Sequence, residues 1–82
     1  MFYVYMLQSP KQNQIYIGYS ADLRRRYAEH QQLERHKEWK LIYYEAYLNQ
    51  QDAMARERKL KSCGGALHGL KKRIERSLEG LE

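Results

Sequence analysis

The sequence predicts an α+β domain in which helices pack against a three-stranded, mainly antiparallel sheet. Three observations point there: two short runs of aromatic and β-branched residues flank a turn, a third such run lies mid-chain, and helical periodicity fills the rest. At 82 residues the chain has the size of one domain, expected to span residues 1–82.

Phe2 to Gln8 and Ile15 to Tyr19 are the first two strands, joined through Ser9 to Gln14. Pro10 presets its own backbone angle and Asn13 tolerates tight turns, so the pair forms a hairpin. Ser20 precedes Ala21-Asp22-Leu23, where its hydroxyl is positioned to cap a helix whose first turn carries Asp22. In that helix Leu23, Tyr27 and His30 share one face, and Arg26 flanks it one turn before His30.

Gln31 to Glu38 is polar and shows no apolar period, whereas Trp39 to Tyr47 reads as the third strand. Asn49 caps a second helix running to about Lys61, Gly64-Gly65 interrupts it, and a third helical segment covers residues 66–78.

The apolar fraction of 43% comes in periodic groups, which implies a folded state. Fifteen Lys and Arg against ten Asp and Glu leave +5, a surplus that suits an anionic partner such as nucleic acid as well as plain solubility. Cys63 is the only cysteine, which excludes an intrachain disulfide and a thiolate-rich zinc site and fits a cytoplasmic setting. The longest apolar run, Met1 to Leu7, falls far short of the ~20 residues of a membrane span, so no membrane association is expected.

Glu57 shares its helix face with Ala53, Met54 and Leu60, the face apolar enough to pack inward. A carboxylate there is costly unless paired or metal-bound, and a neighbour such as Arg56 or Arg58 is the simple alternative to a metal. Seven tyrosines lie on strand signals, where most fill space, but a short hairpin can bring Tyr5 and Tyr16 side by side. The face each occupies stays open. Arg26 and His30 project together as i,i+4 neighbours, either toward a covered site or as a solvated pair beside Glu29. Arg24 and Arg25 read as surface charges able to contact phosphates. His36 and His68 have no metal-like spacing and read as incidental.

Tyr3-Val4-Tyr5, Tyr16-Ile17-Gly18, the run Ser20 to Arg26, His30 and Arg56-Glu57 together resemble the GIY-YIG nuclease superfamily, closest to its small bacterial single-domain members. The motif-bearing part is about residues 2–61, and Tyr3 stands where the name-giving motif has glycine. The resemblance implies a metal-dependent endonuclease hydrolysing DNA phosphodiester bonds. Carried over by position, its tyrosine pair falls on Tyr5 and Tyr16, its phosphate-binding arginine on Arg26, its frequent histidine on His30 and its metal carboxylate on Glu57. One divalent ion is implied, Mg²⁺ or Mn²⁺, since a single carboxylate with several waters suits a hard cation.

Tyr16 is the expected general base, Tyr5 its orienting partner, and His30 a proton relay or phosphate contact. With no separate DNA-binding module expected, target choice falls to branched or nicked DNA structure, to a protein partner or homodimer, or to little selectivity at all. The competing readings are a nucleic-acid-binding module of weak catalysis and a protein-interaction domain.

Overall fold

In the computed structural model, which describes residues 1–10, 14–33 and 38–78, strand β1 (Phe2–Gln8) runs down the middle of a three-stranded sheet ordered β2-β1-β3. Strands β2 (Ile15–Ser20) and β3 (Lys40–Tyr47) both pair with it antiparallel. The central position explains why the run Val4 to Gln8 is buried throughout. Asn13, half of the expected turn chemistry, lies outside the described residues, as does His36. The hairpin is closed by Ser9, whose amide donates to the Gln14 carbonyl at 3.0 Å and whose hydroxyl accepts from the Gln14 amide at 3.2 Å.

Helix α1 covers Leu23–Gln32, two residues into the segment expected to be irregular. Its cap is Asp22 rather than Ser20: the Asp22 carboxylate accepts from the Arg25 amide at 3.1 Å, leaving the first turn without an acidic residue. Ser20 instead folds its hydroxyl onto the Asp22 amide and carbonyl, each at 2.9 Å, a local turn that sets the approach to the cap.

Helix α2 (Gln50–Ser62) begins as expected at Asn49, whose side chain accepts from the amides of Gln51 and Asp52. The chain breaks at Cys63, and Gly64 and Gly65 already belong to the first turn of α3 (Gly64–Arg73). The segment expected to be one helix to residue 78 divides at Ile74, after which α4 spans Glu75–Leu78.

Val4, Met6 and Ile17 on one face of the sheet meet Ala53 and Leu60 of α2 and Leu70 of α3 in the hydrophobic core. Burying a side chain of the Leu60 class contributes about 2 kcal/mol. Met54, expected inward, is 37% exposed, because the inward stripe of α2 runs through Ala53 and Leu60 and Met54 lies about 100° round the helix from Ala53.

Candidate active site

Strand alternation puts Tyr3, Tyr5 and Leu7 on the face opposite Val4 and Met6. Tyr5 sits across from Gly18 of β2 on one side and Tyr44 of β3 on the other, and Tyr16 sits across from Leu7. The hydroxyl end of the Tyr5 ring lies over Gly18. A Cβ at position 18 would come within 2.4 Å of both the Tyr5 hydroxyl and Cζ. That close approach is the physical reason for glycine at the end of Tyr16-Ile17-Gly18.

From α1, His30 turns inward and is only 5% exposed. Its Nε2 lies 2.9 Å from the buried Tyr5 hydroxyl, and with Nε2 unprotonated the hydroxyl donates. The Tyr16 ring packs edge-to-face on the imidazole at 4.9 Å and lies 6.3 Å from the Tyr5 ring. The two tyrosines and the histidine expected from sequence therefore form one aromatic cluster, and the open question of faces is answered: Tyr5 and Tyr16 share one.

Arg26, one turn before His30, carries its guanidinium at the cluster's edge. It pairs with Glu29 at 3.4 Å in the open, whereas His30, the other half of the solvated pair that was the alternative, is buried. Burial pushes the Tyr5 hydroxyl pKa up, and the neighbouring Tyr16 and Glu57 add to the rise, while the Arg26 hydrogen bond and charge pull it down. Arg24 and Arg25 stay exposed on the same turn, Arg25 with a 3.9 Å contact to Glu29.

Glu57 is partly buried on α2, and its charge is the least of the effects acting on the Tyr5 hydroxyl. Its ion pair is with Lys61 at 3.2 Å, not with Arg56 or Arg58. Helix geometry explains the correction, because adjacent residues diverge by about 100° whereas i,i+4 residues share a face. Lys61 and Tyr16 line a common groove along the edge of β2. His68 is exposed.

The catalytic-domain model of the GIY-YIG family matches residues 1–71. The chain belongs to the GIY-YIG family. No curated protein and no solved structure matches it. GIY-YIG membership brings a nuclease-type function at the level of the family, and the antiparallel sheet with flanking helices is the fold that goes with it.

GIY-YIG nucleases generally use divalent metal ions, and the donor chemistry of this chain fits one. Among the described residues no three His, Cys, Asp or Glu side chains cluster, and Glu57, partly buried on α2, offers a single carboxylate as a hard oxygen donor. A small hard cation that keeps most of its waters matches that donor set.

A second polar cluster in this GIY-YIG chain escaped the sequence reading. On the core face, Glu45 accepts from Arg56 Nε at 3.0 Å and Nη2 at 3.0 Å, from the Tyr43 hydroxyl at 2.6 Å and from the Tyr47 hydroxyl. Burial alone would raise the Glu45 carboxyl, but hydrogen bonds from Arg56, Tyr43 and Tyr47 leave it below its ordinary value. Burial and the bonds to Glu45 push both tyrosines up to about 12. The signal was the two-residue spacing of Tyr43, Glu45 and Tyr47, which places all three on one strand face.

Proposed function

We propose that this chain is a divalent-metal-dependent endonuclease that hydrolyses phosphodiester bonds in DNA and selects its target by DNA structure. The observation that carries the reading is the cluster of the buried Tyr5 hydroxyl with His30 at 2.9 Å and the Tyr16 ring, with Arg26 one turn before His30 on the same helix and the charges of Arg26 and Glu57 both acting on the Tyr5 hydroxyl. Packing alone does not call for an imidazole and two phenols in one cluster with a guanidinium beside it on the same helix.

In this reading Glu57 holds the cation, which when bound supplies Lewis-acid activation of water and phosphate. Arg26 stabilises the charge that gathers on the phosphoryl oxygens. A water oxygen bonds to phosphorus as the bond to the leaving oxygen breaks. Tyr16, half-buried and lining the groove, takes the water proton in its phenolate form, becoming the neutral phenol, and the leaving oxygen takes a proton from solvent. Tyr5 is unsuited to that task, since it is fully buried with a raised pKa, and it positions His30 instead. His30 then relays a proton or contacts the phosphate. Arg24 and Arg25 engage neighbouring phosphates.

Glu57→Gln tests the reading, with nicked, branched and linear DNA incubated with Mg²⁺, Mn²⁺ or EDTA. Metal-stimulated cleavage should fall roughly a hundredfold or more with little change in melting temperature, because the amide is a near-isostere but a poor ligand for a hard cation. Wild-type turnover by the variant removes Glu57 from the site. One observation favours the alternative of a binding module with weak catalysis: the Lys61 ammonium already sits 3.2 Å from the carboxylate a cation needs. Salt-dependent DNA binding by the wild-type protein, with no cleavage under any metal, selects that alternative.

A further inference from the structure

On the same sheet face, between α1 and β3, lies an open groove of about 510 Å³ that the proposed chemistry does not use. Its lining includes Tyr3, Leu41 and Tyr44 from the sheet and Arg24 and Tyr27 from α1. Tyr44 is 55% exposed although it stands mid-strand beside Tyr3, with ring centroids 6.0 Å apart and planes at 66°. An edge-on pair leaves ring faces uncovered, which is the shape of a stacking platform. Tyr27 is tied through its hydroxyl to the Trp39 carbonyl, so the α1 wall is anchored to the start of β3.

The charge at the rim identifies the occupant. Arg24 borders the groove, Arg25 and Arg26 follow it and share Glu29, and the carboxylate that lines the groove, Asp22, is engaged in capping α1. Arg24 lies six residues before His30 on one helix. That separation is about 9 Å along the axis, or roughly three stacked nucleotides at ~3.4 Å each. We propose that the Tyr3/Tyr44 groove receives an unpaired base of the DNA strand whose phosphate lies at the Arg26/His30 cluster, so that the protein prefers junctions with a single-stranded arm over continuous duplex. The proposal rests on the nuclease reading and gives it a substrate class. Aromatic faces take any base, which yields selection for structure without selection for sequence.

The test is binding in EDTA, where no metal-stimulated cleavage intervenes, to a forked DNA carrying 2-aminopurine in the first unpaired position and to a blunt duplex of equal length. Wild-type protein should bind the fork about tenfold more tightly and quench the 2-aminopurine fluorescence. Tyr44→Ala should abolish the preference and the quench while keeping duplex affinity, and Tyr44→Phe, which retains the ring, should behave as wild type. Equal affinity of wild-type protein for fork and duplex overturns the proposal, as does a preference and quench unchanged in Tyr44→Ala. A Tyr44→Ala protein that binds both DNAs as wild type but changes its self-association on size exclusion marks the groove as a protein interface, which also overturns it. Failure of the nuclease reading is seen separately, as absence of cleavage of either DNA when Mg²⁺ is added to wild-type protein.

Discussion

At position 18 the difference between a hydrogen and a methyl group decides where the Tyr5 hydroxyl sits. The ring above Gly18 is rigid, fully buried and held by His30, so a Cβ at 2.4 Å cannot be met by a small side-chain adjustment. Gly18→Ala should cost about 1–3 kcal/mol in chemical denaturation, the range for overpacking. In a Tyr5→Ala background the same change should cost much less, a coupling that a double-mutant cycle reads directly. Additive costs would mean that the strain at position 18 comes from some other contact.

Gly18 stands in a motif that the sequence displays, but nothing in a string of residues says which ring lies over which backbone. Strand alternation gives the parity of Tyr5 and Tyr16, not which face the helices leave for them, and that is settled only by where α1 and α2 pack. Helix rules reach further. The i,i+4 relation of Glu57 and Lys61 was available from spacing alone, and so was the Arg26/His30 pair.

Helix α2 carries Glu57, and its orientation on the sheet is set partly by the Arg56 fork on Glu45. The side chains of that pair are 26% and 13% exposed, so breaking it leaves a poorly solvated charge. Glu45→Gln should lower stability by about 2 kcal/mol, discounted from the fully buried case because water reaches the pair. The pH dependence has a sign at each end. The folded-state pKa of Glu45 is depressed, so its contribution is present above the unfolded value of about 4.3 and is lost as pH falls through the folded one.

Tyr43 and Tyr47 are raised to about 12, so their contribution is complete below the unfolded value of about 10 and fades as pH climbs from there toward 12. Thermal melts of wild-type protein should therefore sag below about pH 4 and between about pH 10 and 12. A Tyr43→Phe/Tyr47→Phe variant should lose the alkaline sag. A variant with the same alkaline sag as wild type would place the responsible titration elsewhere, with Tyr5 the next candidate.

Across the whole molecule the sheet separates two tasks: α2 and α3 cover one face with the apolar core, and the other face carries the aromatic cluster, the basic turn of α1 and the open groove. The +5 balance is read from composition, but only the fold shows that Arg24, Arg25 and Arg26 flank this second face. Strand β1 belongs to both tasks at once, with Val4 and Met6 turned to the core and Tyr3 and Tyr5 turned away from it.

A saturation scan of β1 should therefore beat with a period of two in which property is lost. Met6→Ala should cost about 2–5 kcal/mol of folding free energy and leave the turnover of the remaining folded protein close to wild type. Tyr5→Phe, which deletes one buried hydroxyl, should cost only about 1–2 kcal/mol and cut turnover far more. If abundance and activity instead fall together at every position, the two faces are not independent. If they alternate, drift at even-numbered positions is policed by proteolysis of unfolded chains and drift at odd-numbered ones by the fate of the DNA, so neighbouring codons of a single strand answer to different selection pressures.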